Sequence, residues 1–72
     1  MKREVIINNV SELRQKRGIT QEELGKVVNV TRQTIIAIER GNYTPSVLLA
    51  LKIAHFFETP VDNIFKLSHE EK

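Results

Sequence analysis

This chain is punctuated too densely for long helices or long strands. Thr20-Gln21-Glu22-Glu23 is a capping box: the Thr hydroxyl can accept from the backbone N–H three residues on, and the Glu at that position can reach back. Asn29 follows, a residue that tolerates the left-handed conformation of a tight stop, and Thr31 offers a second cap. Gly18 stands before this stretch and Gly41 after it. The stretch is thereby restricted to two short helices, 21–28 and 31–40, joined across Asn29-Val30.

The same signals divide the rest of the chain. Asn9 can cap a helix over 9–17, with Glu12 near its start and Val10 and Leu13 on one face. Leu24, Val27 and Val28 are the inward residues expected of the second helix. Pro45-Ser46 opens a fourth helix over 47–57. Thr59-Pro60-Val61-Asp62 opens a fifth that ends near Phe65, with Thr as cap and Pro in the first position. Glu4-Val5-Ile6-Ile7 is β-branched, and Ile64-Phe65-Lys66-Leu67-Ser68 alternates apolar and polar. These ends can pair as a small two-stranded antiparallel sheet; the alternative is two frayed termini. The fold expected is all-α and five-helix, one domain over 1–72, with the helix pair at 20–40, a strand or arm at 3–8 and a strand or tail at 66–72.

At 72 residues such a domain buries only a small core. It has no cysteine and two histidines, His55 and His69, so neither a disulfide nor a metal clip is expected to hold it. Extra stability then comes from regular helix packing or a partner subunit. The apolar run near the start is too short for a signal peptide or a membrane span, so a cytoplasmic protein is expected. A net charge of +2 permits a nucleic-acid partner without arguing strongly for one.

Catalysis finds no support. The three glycines form no phosphate loop, and no serine sits in a nucleophile elbow. Glu22 and Glu23, and likewise Glu70 and Glu71, are sequence neighbours, which do not face one another on a helix. His55 lies on a helix without an evident partner. No enzyme activity, cofactor, metal or small-molecule ligand is expected.

The third helix, "VTRQTIIAIERGN", carries more information. Ile35 and Ile38 are three apart and face inward, with Thr34 beside them. Arg32, Gln33, Ile36, Ala37 and Arg40 are left outside. Arg and Gln make bidentate hydrogen bonds to guanine and adenine edges, and here they occupy the first turn. In a helix-turn-helix the first turn of the second helix enters the major groove. Ile36 and Ala37 are suited to thymine methyls. The bland reading is a solvated face with two polar residues; an exposed Ile36 counts only modestly against it.

Residues 13–65, "LRQKRGITQEELGKVVNVTRQTIIAIERGNYTPSVLLALKIAHFFETPVDNIF", resemble the helix-turn-helix domain of the Cro and phage-repressor class, also called xenobiotic-response-element type. "ITQEELG", "VTRQTIIAIERG" and "TPS", in this order and spacing, carry the resemblance. The class implies a lambda-repressor-like fold that binds double-stranded DNA. It implies base contacts from Arg32, Gln33, Ile36 and Ala37, and backbone contacts from Gln21, Thr31, Thr34, Arg40, Asn42 and Tyr43. It also implies a structural pair, Arg14 with Glu39. Three positions depart from the class. Gly25 and Asn29 stand where Ala and Gly are usual, and Glu58 stands where Gly is common, which predicts a different end to the fourth helix.

That fourth helix has two apolar stripes. Val47, Ala50, Leu51, Ala54 and Phe57 are expected to face the core. Leu49, Ile53 and Phe56, extended by Val61 and Ile64, are expected to form a homodimer interface unless the terminal strands cover them. The reading is a homodimeric repressor on an inverted-repeat operator. The alternative is an antitoxin or adaptor that uses the apolar stripe for a protein partner. Antitoxins usually carry a further segment, whereas here a short charged tail follows residue 65.

Overall fold

The computed structural model describes residues 2–71, and the side chains of residues 3–69. Met1 and Lys72, the outermost residue of the expected tail, lie outside the described residues. The elements in order are β1 (Lys2–Asn8), α1 (Val10–Arg17), α2 (Gln21–Val28), α3 (Arg32–Glu39), α4 (Val47–Phe57), a 3-10 turn (Val61–Asn63) and β2 (Phe65–Glu71). There are thus four α-helices among the described residues, and the expected fifth is a single 3-10 turn. Thr59 does not cap it. Its hydroxyl instead donates backward to the Phe57 carbonyl at 2.9 Å. Ile64 is buried and Phe65 begins β2, so the sheet takes the residues a longer helix needs.

The chain ends do pair. β1 runs antiparallel to β2, with Arg3 opposite Glu70, Glu4 opposite His69 and Ile6 opposite Leu67. The apolar Ile6–Leu67 pair favours this register. At the base of the ribbon, Asn8 and Asn9 fix it to the body. The Asn8 amide donates to the Ile38 carbonyl of α3 at 2.9 Å, and its Oδ1 accepts the Val10 N–H at 3.1 Å. Asn9 therefore does not cap α1 with its side chain as expected; its amide donates to the Asn63 carbonyl at 3.2 Å.

The core gathers Val10, Leu24, Val28, Ile35, Ile38, Leu49, Ile53, Phe57 and Ile64. Of the α4 stripe expected to face the core, Ala54 and Phe57 are buried as expected, but the two stripes do not divide as the sequence suggests. Leu49, Ile53 and Ile64, assigned from the sequence to a dimer interface, are buried within one chain. Val47 and Leu51, assigned to the core, are 76% and 52% exposed. With an apolar residue on almost every side of α4, its period cannot set its rotation; packing against α2 and the 3-10 turn does. Val27 is likewise 54% exposed rather than inward.

α4 also ends as a glycine-capped helix would. Glu58 adopts φ 52°, in the left-handed region, and its N–H and that of Thr59 reach back to the His55 and Ala54 carbonyls. Capping those carbonyls outweighs a local penalty of about 1–2 kcal/mol for a non-glycine residue.

Candidate nucleic-acid interface

α2 and α3 are held in fixed relation by their turn. The capping box is complete: the Glu23 N–H donates to the Thr20 hydroxyl at 3.0 Å, and the Thr20 N–H to the Glu23 carboxylate at 2.7 Å. Asn29 takes φ 66° and stops α2. The Val30 N–H then bonds the Gly25 carbonyl at 2.8 Å. A Cβ at position 25 would lie 2.7 Å from the Val30 carbonyl oxygen, so the turn closes tightly over a glycine. Thr31 caps α3 by accepting from the Thr34 N–H at 3.3 Å, and the two hydroxyls lie 3.2 Å apart.

α3 is divided as its sequence demands. Ile35 and Ile38 are buried, at 0% and 1% exposure. Arg32, Gln33 and Arg40 are exposed, while Thr34, Ile36 and Ala37 are half-buried along the flanks. Ile36 is thus shielded on one side and open on the other. Beyond α3, Gly41 at φ 79° turns the chain, the Asn42 N–H closes on the Ala37 carbonyl at 2.9 Å, and Asn42 and Tyr43 stand exposed.

Behind this face lies a polar brace. The Arg14 guanidinium donates to the Glu39 carboxylate through Nε at 2.7 Å and Nη2 at 3.3 Å. Its Nη1 donates to the Ile19 carbonyl at 3.0 Å. Gln21 adds its amide to Glu39 Oε1 at 3.1 Å. Glu39 is only 7% exposed and Arg14 13%, so the acid is turned away from the outer face and matched where it sits. α1, α2 and α3 are therefore fastened by one carboxylate.

A cleft beside this brace is lined by Ser11, Gln21, Arg32, Ile36 and Arg40, bringing candidate base and backbone residues together. Ser11 was not singled out from the sequence. It lies a helix away from α3, and only the tertiary fold brings it to the arginines. On a separate face, Val27, Leu48, Leu51, His55, Phe56 and Val61 line an open apolar groove of about 720 Å³. Phe56 and Val61, expected from the sequence in a dimer interface, are among its lining residues. Arg17 donates to the Phe56 carbonyl at 3.1 Å and lies 5.0 Å from the Phe56 ring centroid, fixing one wall. Among the described residues no cluster of His, Asp or Glu could hold a metal, and no helix is long and apolar enough to cross a membrane.

A tight two-helix turn with a braced second helix defines a helix-turn-helix DNA-binding domain. The helix-turn-helix family model matches residues 10–64. The chain belongs to that family, whose members are DNA-binding transcriptional regulators of the Cro and phage-repressor class. It is 52% identical over 63 residues to the HTH-type transcriptional regulator YgzD of Bacillus subtilis, covering 88% of this chain and 96% of that one. It is 30% identical over 54 residues to the cryptic phage CTXphi transcriptional repressor RstR of Vibrio cholerae, covering 75% of this chain and 49% of that one. In structure it is similar to the restriction-modification controller protein C.AhdI of Aeromonas hydrophila, with a TM-score of 0.69, 28% identity, and coverage of 75% of this chain and 82% of that one. The clp gene regulator ClgR of Corynebacterium glutamicum shares the fold, with a TM-score of 0.69, 24% identity, and coverage of 75% and 57%.

Proposed function

We propose that this protein is a homodimeric repressor that binds an inverted-repeat operator, with α3 of each subunit in a major groove. The observation that carries this reading is the division of α3: Ile35 and Ile38 are sealed inward while Arg32 and Gln33 stand exposed in its first turn. Arg32 and Gln33 choose bases, and Ile36 and Ala37 make apolar contacts to thymine methyls. Gln21, Thr31, Thr34, Arg40, Asn42 and Tyr43 hold the sugar-phosphate backbone, which supplies affinity and salt dependence.

The second subunit docks on the open apolar groove of Leu48, Leu51, His55, Phe56 and Val61. Two-fold symmetry then sets half-sites about 10 base pairs apart, centre to centre. A repressor role is favoured by the likeness to RstR, a protein named as a transcriptional repressor. Occupying an operator suits repression by steric exclusion.

The same groove favours a second reading, an adaptor or antitoxin that holds a different protein there. Selection of bound sequences from a random DNA pool separates the two. Enrichment of an inverted repeat supports the dimeric DNA reader; a pool without enrichment leaves the adaptor reading.

A further inference from the structure

Ser11 of α1 opens onto the outer flank of α3. With Gln21, Arg32, Ile36, Glu39 and Arg40 it lines a cleft of about 340 Å³. Residues three and four apart share a face of a helix, so Ser11 stands in line with Arg14 and Gln15. Arg14 is fastened to Glu39 of α3 at 2.7 Å, and that contact brings this face of α1 to the cleft. Ser11 itself is half-buried, while Arg32 and Arg40 are exposed.

The Ser11 hydroxyl is only half used. Its oxygen accepts from the Gln15 amide at 2.9 Å, and its hydrogen has no acceptor among the described residues. A hydroxyl carries one donor and two acceptor lone pairs. The Gln15 bond fills one lone pair, polarises the group and leaves the O–H to be given away. The rest of the cleft also offers donors. Gln21 gives one amide hydrogen to Glu39 Oε1 at 3.1 Å and keeps a second. Arg32 and Arg40 bring guanidiniums, which only donate. Glu39 is 7% exposed and already matched by Arg14, so it does not set the charge of the cleft. An occupant that suits these groups is an anion with several oxygen acceptors. Beside a helix lodged in a major groove, that anion is a backbone phosphate.

We propose that Ser11 donates its hydroxyl hydrogen to an oxygen of a DNA phosphate, the same phosphate that Arg40 holds, with Gln15 orienting the hydroxyl. The proposal rests on the reading of α3 as the DNA-binding helix. It adds α1 to an interface otherwise built from α2, α3 and the 41–43 segment. A phosphate gripped from α1 and α3 together fixes how far α3 can slide along the groove. Ser11 is uncharged, so its contribution is blind to sequence and releases no counterion.

Ser11→Ala removes the donor and leaves the charge of the interface unchanged. Its affinity should fall about tenfold, equally on the selected operator and on unrelated DNA, with the salt slope unmoved. Ser11→Thr returns a hydroxyl and should recover most of the loss. Methylphosphonate substitution, one phosphate at a time along the operator, locates the contact. At one position the wild type should lose affinity and Ser11→Ala should lose about tenfold less, and Arg40→Ala should show a reduced loss at that same position. Circular dichroism checks that every variant is folded. Losses that combine independently at every phosphate overturn the proposal and leave the reading of α3 standing. So does a folded Ser11→Ala chain that binds as tightly as the wild type. A wild-type chain that binds no DNA overturns the reading of α3 and this proposal with it.

Discussion

Arg14 and Glu39, 25 positions apart in the chain, meet at 2.7 Å between Nε and Oε2 and are mostly hidden from water. This contact sets the height and tilt of α3 against α1, with Gln21 of α2 sharing the same carboxylate. Arg14→Ala leaves Glu39 charged, enclosed and short of its main donor. It should cost about 2–3 kcal/mol, measured as a shift of the urea midpoint at constant m. A loss below about 0.5 kcal/mol would place the pair with ordinary surface ion pairs.

Arg40 is exposed at the C-terminal end of α3, beside the candidate backbone residues Asn42 and Tyr43. Arg40→Ala should weaken binding to all DNA sequences alike and lower the slope of log K against log salt by about one. A slope that does not move removes Arg40 from the phosphate contacts.

Glu58 holds φ 52° at the end of α4 without a glycine's freedom. Glu58→Gly relieves that conformation but loosens the unfolded chain. The balance should stabilise the fold by about 0.5–1 kcal/mol, seen as a higher urea midpoint. A destabilised variant would mean the Glu58 side chain contributes more than its backbone costs.

The two faces of α4 should respond in opposite ways. Ile53 is fully buried, so Ile53→Ala should cost about 2–5 kcal/mol of monomer stability. Leu51 is 52% exposed in the groove, so Leu51→Arg should leave the circular dichroism of the fold intact while abolishing the dimer in sedimentation. A Leu51→Arg chain that still forms dimers moves the interface elsewhere.

The α2–α3 unit was legible because its information is local. Thr20, Glu23, Asn29 and Thr31 each satisfy backbone groups within a turn of themselves. The buried side of α3 followed from the spacing of Ile35 and Ile38 against polar neighbours. α4 was not legible to that degree. Its length was, but Leu49 and Leu51 are chemically the same residue two positions apart, and only tertiary packing chose which to bury. The fifth helix failed for a related reason: the competing demand came from β1, more than fifty positions away in the chain. Asn9 holds the N-cap position, but its side chain does not cap because it serves that same long-range junction, through Asn63. Ser11 went unnoticed for want of any sequence signal linking it to Arg32 and Arg40.

The claim that the first turn of α3 chooses bases rests most directly on Gln33, which is exposed and uncharged, so its loss does not alter the phosphate electrostatics. The decisive measurement is the affinity of Gln33→Ala for the selected operator and for unrelated DNA, at one fixed salt concentration. The variant should lose about 1–3 kcal/mol on the operator while its affinity for unrelated DNA stays unchanged. An equal loss on both DNAs, or no loss on either, would contradict base reading by this helix.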